Sequence, residues 1–144
     1  MARTPPTRCP EAALSMRPRY ADLFAALLDP DPQRADAAFD AILFDRGEAI
    51  PDLAECFRLN ASEALLRFYA IQLLGFSEDP RAIPHVLPAL RDNVPMVRAE
   101  ACRALEDLRA REAIPLLEER IDDLDAEVRA SALDALASLG ARST

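Results

Sequence analysis

Apolar residues recur along most of this chain at spacings of three and four, the period of an α-helix with one buried face. A clear example comprises Val97, Ala101, Ala104, Leu105 and Leu108. The pattern returns 31 residues later, from Val128 to Leu139, and a looser copy starts at Leu66. Strand-like alternation is absent, so the pattern predicts an all-α protein.

The helices are repeated at a fixed interval. The pairs Leu66-Arg67, Val97-Arg98 and Val128-Arg129 are each 31 residues apart, as are Ile83-Pro84 and Ile114-Pro115. Upstream the interval lengthens to 33, because Ile50-Pro51 precedes Ile83-Pro84 and Arg34 precedes Arg67 by that distance. Such a period is typical of stacked helix pairs. We therefore predict an α-solenoid (an α-α superhelix) of about three and a half antiparallel helix pairs.

The predicted organisation is a single repeat domain with two short ends. Residues 1–18 are rich in Pro and Arg and are predicted to be disordered. The repeat domain spans 19–140, and residues 141–144 form a tail. The three glycines, Gly47, Gly75 and Gly140, fall near predicted helix boundaries, where glycine is well tolerated.

Composition excludes several classes of function. All 17 basic residues are arginine, which excludes lysine nucleophiles and is typical of a GC-rich bacterial genome. With only 3 Gly, no phosphate-cradling loop is present. The net charge of −8 disfavours nucleic acid, and no apolar run is long enough for a membrane span. Three scattered Cys indicate reduced thiols in a cytoplasmic protein.

The conserved-looking spacing within each repeat resembles a known family. The arrangement Asp92-x4-Val97-Arg98-x2-Ala101-x2-Ala104-Leu105, repeated from Asp123, resembles the short HEAT-like repeat of bacterial proteins and phycobilin lyases. The resemblance implies structural contacts between neighbouring repeats for Asp92, Arg98, Asp123 and Arg129. Arg67 lacks such an Asp, because Ala61 occupies the matching position. The resemblance also implies that the second helix of each pair lines a concave side.

We predict that this concave side binds a protein or peptide without catalysis. Aligning the second helices by the repeat places Asp52, His85 and Leu116 in one column. Glu55 and Glu119 lie beside Cys56 and Arg120 in neighbouring columns. The predicted contact residues are Asp52, Glu55, His85, Leu116, Glu119 and Arg120.

Chemical roles for these residues are the alternatives. Asp52 and His85 would form a dyad only through long side chains or water, and Cys56 would be a nucleophile or a bilin contact in an enzyme-associated subunit similar to the bilin lyases. With one His, a multi-histidine metal site is excluded. We expect no metal, no cofactor and no catalytic residue.

The C-terminal helix provides a second candidate surface. Its helix pair is incomplete within this sequence, so Leu133 and Leu136 are predicted to be exposed at the end of the stack. An uncovered apolar face often marks an interface. We therefore expect either oligomerisation or stacking of a partner through this helix.

Overall fold

The computed structural model describes residues 16–140 of the chain. Over this range it contains α-helices and short 3₁₀ turns and no strand, which confirms the all-α prediction. The predicted tail and most of the predicted disordered segment lie outside the described residues. The helices are α1 (Pro18–Ala26), α2 (Pro32–Asp45), α3 (Ile50–Leu59), α4 (Ala64–Phe76), α5 (Ile83–Val86), α6 (Pro95–Asp107), α7 (Ile114–Glu119) and α8 (Ala126–Ser138).

The helices form two rows of a stacked superhelix. Helices α2, α4, α6 and α8 are the first helices of successive pairs, and α4 packs on α6 and α6 on α8. Helices α3, α5 and α7 are the second helices. Helix α1 belongs to the second row, because Arg17, just before its start, bonds to Asp52 in the first turn of α3. The row of second helices carries the candidate site.

Proline sets the shape of the second helices. The α-helical part of α5 covers only Ile83–Val86 and continues as a 3₁₀ turn over Leu87–Arg91. Pro84 sits in the first turn, where its missing N–H costs little. Pro88 falls in the tightened 3₁₀ part, because a proline there cannot donate to the preceding turn. Both rings therefore face outward as a rigid, exposed surface.

The apolar period predicted from the sequence is the buried face of the first row. In α6, Val97, Ala101 and Leu105 are fully buried. In α8, the equivalent Val128, Ala132 and Leu136 are also buried. Small residues at these positions let neighbouring helices approach closely. The core consequently runs as one continuous cluster through the stack.

Gly75 marks the closest approach between two first helices. It is the penultimate residue of α4 and is buried against α6. A Cβ atom at Gly75 would lie 2.8 Å from the Cβ and 2.9 Å from the Cα of Ala104. The sequence predicted a helix boundary here, and α4 does end one residue later at Phe76. The structure adds that glycine is required for the helix contact.

The register of the first pair differs from the sequence alignment. The interval of 33 aligned Arg34 with Arg67. In the structure α2 begins at Pro32 and α4 at Ala64, an interval of 32. The buried Ala38 and Ile42 then match the buried Ala70 and Leu74. Ala35 is thus the equivalent of Arg67, and the two extra residues expected upstream fall partly between α3 and the following repeat.

No helix within residues 16–140 has both the length and the apolar character needed to cross a membrane.

Candidate functional site: the concave surface

A groove opens between α3 and α5 on the second-helix side. Its cavity volume is about 610 Å³. The walls are mainly apolar, from Ala54 and Phe57 on α3 and from Pro84 and Pro88 on the opposite side. The lining residues are Ala54, Glu55, Phe57, Arg58, Ala61, Arg67, Pro84, His85, Pro88, Asp92 and Asn93. We call this cavity the central groove.

Two further cavities extend the central groove into a continuous concave surface. One of about 470 Å³ shares His85 with it and is lined by Arg17, Glu48 and Arg81. The other, of about 250 Å³, shares Pro84 and Pro88 and lies towards α7. The second helices therefore present one surface that spans three successive repeats, which suits an extended ligand.

An ion pair closes the floor of the central groove. The Arg67 side chain donates from Nε to Oδ2 and from Nη2 to Oδ1 of Asp92, each at 2.9 Å. Its Nη1 donates to the backbone oxygens of Asn60 and Ala61. Both charged side chains are more than 90% buried. The expectation that Arg67 lacks an Asp is therefore wrong, because its partner comes from the next repeat rather than from position 61.

The same contact recurs one repeat later. Arg98 donates from Nε and Nη2 to the two carboxylate oxygens of Asp123, again at 2.9 Å. Burial would raise the pKa of Asp123, but the bonds from Arg98 and the Asp125 backbone, with the charges of Arg98 and Arg120, lower that pKa overall. Arg129 instead donates to the backbone oxygens of Asp123 and Leu124. We call the Arg67–Asp92 and Arg98–Asp123 pairs the arginine ladder.

The structure brings five of the six predicted contact residues to the concave surface. Glu55 and His85 line the central groove. Leu116, Glu119 and Arg120 line the cavity near α7. The arrangement follows from the repeat, which places equivalent positions of successive second helices side by side.

Asp52 is the exception, and its assignment as a contact residue is not supported by its surroundings. Its side chain is about 98% buried. Its carboxylate accepts bonds from the backbone N, Nε and Nη2 of Arg17. Arg17 therefore replaces His85 as the partner of this carboxylate and occupies the space in front of it. Asp52 anchors α1 to α3.

The charges on the concave surface are more basic than the protein as a whole. Four arginines of the three cavities have side chains that are more than half exposed, whereas Glu55 and Asp92 are largely covered. Each of these arginines also pairs with an acidic side chain of the protein, and so keeps a fixed orientation. The four are Arg17, Arg58, Arg81 and Arg91.

Sequence reasoning missed several lining residues. Phe57 and Arg58 follow Glu55 on α3, and their exposure to the groove depends on where α5 lies. Pro84 and Pro88 are four residues apart and so share a helix face, a spacing that was available as a signal. Arg17 carried no signal, because it precedes the first periodic segment.

The two described thiols are poor candidates for chemistry. Cys56 and Cys102 are fully buried. Burial raises the pKa of each thiol to about 12. A thiol that stays protonated and buried is not a nucleophile. Among residues 16–140, no cluster of His, Cys, Asp and Glu has the geometry to hold a metal ion.

The predicted end surface is half correct. Leu133 is 55% exposed on the outer face of α8. Leu136 is buried, because it corresponds to Leu105 and Leu74, which also belong to the core. The exposed face of α8 therefore contains Leu133 without Leu136.

The two rows of helices, the regular register and the arginine ladder define an α-solenoid built from helix pairs. The HEAT-repeat family matches residues 50–137 of the chain. The chain belongs to this family. No match was found among curated proteins.

Solved structures share this architecture. Human deoxyhypusine hydroxylase, in complex with glycerol, is 27% identical with a TM-score of 0.68 over 91% of this chain and 46% of the hydroxylase. An engineered protein is 19% identical with a TM-score of 0.52 over 85% of this chain and 63% of its own. This chain therefore spans about half the length of the hydroxylase that it resembles.

Proposed function

We propose that this protein is a non-catalytic binding module that holds an extended protein or peptide segment on its concave surface. The observation that carries the proposal is the continuous row of cavities along the second helices. HEAT repeats supply a rigid frame, so the surface needs little reorganisation to bind.

The walls of the central groove specify an apolar side chain in the partner. Phe57, Pro84 and Pro88 supply rigid apolar contacts. The volume of about 610 Å³ is within the range of ligand pockets. A large apolar or aromatic side chain that enters this groove gains the burial of apolar area without ordering flexible walls.

The exposed arginines specify the flanks of that segment. Arg17 and Arg81 lie at one end of the central groove, and Arg91 lies towards α7. Guanidinium groups bind carboxylates in bidentate geometry. The partner that fits best is therefore an apolar residue with acidic residues on both sides, rather than a basic segment. This revises the expectation of acidic contacts from the protein, because Asp52 is sequestered.

A catalytic role receives less support from the geometry. The thiols are buried and protonated, and the Asp52 carboxylate is already bound by Arg17. The resemblance to deoxyhypusine hydroxylase concerns the repeat architecture of about half of that protein. We therefore assign the concave surface to recognition.

Selection from a random peptide library displayed on phage tests this assignment. With the full chain immobilised, we expect enrichment of peptides that place an apolar or aromatic residue between acidic residues. A basic consensus, or the absence of any consensus, would contradict the proposal.

Three variants then locate the binding site of a selected peptide. Ala54→Trp fills the central groove and Arg91→Glu reverses a flanking charge, so each should weaken affinity about tenfold or more. Arg109→Glu makes the same charge change outside the three cavities and should leave affinity unchanged. Thermal unfolding of each variant checks that the fold is retained. Equal losses in all three variants would show that net charge, rather than the groove, governs binding.

A further inference from the structure

The outer face of α8 matches surfaces that are covered elsewhere in the stack. Leu133 corresponds to Ile71 and Cys102, which lie 62 and 31 residues before it. Both of these residues are 0% exposed, because α6 covers α4 and α8 covers α6. Leu133 is 55% exposed. Within residues 16–140, this stacking face has nothing packed on it.

Arg129 has half of the bonding pattern of the ladder arginines. Like Arg67 and Arg98, it donates from Nη1 to backbone oxygens just before its own helix. Unlike them, it has no carboxylate within the described residues that receives Nε and Nη2. Arg129 is therefore held in the orientation of a ladder arginine, with its remaining donors directed towards the position of a following repeat.

Asp29 is the opposite half of such a pair. It lies three residues before the start of α2, as Asp92 and Asp123 lie before α6 and α8. In all three, Oδ1 accepts the backbone N–H two residues further on, at 2.8 to 2.9 Å. The nearest cation to Asp29 is Arg34, whose Nη1 is 3.9 Å from Oδ2 and so beyond hydrogen-bond distance. The Asp29 carboxylate thus has the ladder conformation without a ladder arginine.

The apolar surfaces at the two ends also correspond. Within the stack, Phe39 packs edge-on against Tyr69 and Phe76, with ring centroids 6.1 and 6.4 Å apart. In the structural register, Leu133 is the equivalent of Phe39, and Ala37 and Phe44 are the equivalents of Tyr69 and Phe76. Phe44 is 86% exposed on α2. The internal contact therefore has unpaired counterparts at both ends of the stack.

The row of second helices shows the same incompleteness. Helix α8 is a first helix that no second helix follows among the described residues. Helix α1 lies in the row of second helices without a first helix before it in that range. A second copy placed beyond α8 would bring its own α1 next to α8 and complete a helix pair.

We propose that copies of this chain associate head to tail, with Arg129 of one copy binding Asp29 of the next and Leu133 packing against Ala37 and Phe44. The charges are complementary, and the contact continues the interface that already joins the repeats. A head-to-tail contact of this kind is heterologous, so it extends into an open chain unless the rotation closes a ring. The concave surface would continue from copy to copy.

Sedimentation velocity over a concentration series tests the proposal with the full chain. The average mass of the wild type should rise with concentration beyond that of a dimer. Arg129→Asp and Asp29→Arg should each lower the association constant about tenfold or more, because like charges then meet. Leu133→Glu, at an exposed position, should do the same without affecting the fold. The matched control Arg109→Asp should behave as the wild type.

Mixing the two charge variants gives the sharpest result. In an equimolar mixture of Arg129→Asp and Asp29→Arg, every contact between unlike copies regains opposite charges, so association should return. Failure to recover in the mixture, when both variants have native circular dichroism, would overturn the proposal. A wild type that remains monomeric throughout, or a closed dimer insensitive to Asp29→Arg, would also overturn it.

Discussion

Replacing Arg67 by methionine is expected to lower the free energy of unfolding by about 3 kcal/mol, because it leaves the Asp92 carboxylate buried without its cation. Arg67 makes two bonds to Asp92 and two to backbone oxygens of the preceding loop. The pair is almost completely shielded from water. In a domain of this size, the change corresponds to a fall in Tm of roughly 10 °C, measurable by calorimetry.

Arg129→Met is the matched control for this variant. Arg129 occupies the same position one repeat after Arg98, but its bonds go to the oxygens of Asp123 and Leu124. Its side chain is exposed, so no buried charge is left behind. We expect a loss below about 1 kcal/mol. A loss from Arg67→Met no greater than that from Arg129→Met would show that the ladder does not stabilise the stack.

The ladder also predicts how stability depends on acidity. The pKa of Asp123 in the folded protein lies below its ordinary value, despite the opposing effect of burial. Its contribution is therefore fully present above the unfolded-state pKa of about 3.9 and is lost as pH falls through the folded-state pKa. Denaturant titrations below about pH 4 should show a shallower pH dependence for Arg98→Met than for the wild type.

The second large effect is expected at Gly75. A methyl group there would meet the backbone and Cβ of Ala104 at less than 3 Å, so α4 and α6 would have to separate. Overpacking of this kind costs about 1–3 kcal/mol, which outweighs the gain of about 1 kcal/mol in helix propensity from glycine to alanine. For the larger Gly75→Leu, we expect a loss of about 3 kcal/mol in denaturant unfolding.

A compensating change shows whether that loss arises at the contact with Ala104. The double variant Gly75→Ala/Ala104→Gly moves the methyl group to the other helix, so it should be more stable than Gly75→Ala alone. Gly47→Ala provides the comparison at a site where the neighbouring atoms are the ends of the Asp79 and Arg81 side chains, which can move. If Gly75→Ala costs no more than Gly47→Ala, the close approach of α4 and α6 is not required.

The architecture was accessible from the sequence because stacked repeats leave two signals at one period. Val97 and Val128 mark the buried face, and Arg98 and Arg129 mark the contact between repeats. The partner of Arg67 was not accessible by aligning positions within a repeat, because the ladder bond spans 25 residues to the following one. An expectation framed between repeats would have found Asp92.

The site was less accessible than the fold, for two physical reasons. Arg17 neutralises Asp52 from a segment with no periodic pattern, so the carboxylate was taken as available for binding. The walls of the central groove depend on how far apart α3 and α5 lie, which the repeat spacing does not specify. Pro84 and Pro88 shape that distance through the 3₁₀ turn that follows α5.

The most direct test of the central claim is to map where a selected acidic-apolar peptide binds, using NMR chemical-shift perturbation on the full chain. A curved stack that recognises its partner through the second helices predicts that the largest shifts occur at Glu55, Phe57 and His85, with smaller ones towards Glu119. Shifts confined to the first helices, such as α4 and α6, would contradict the account.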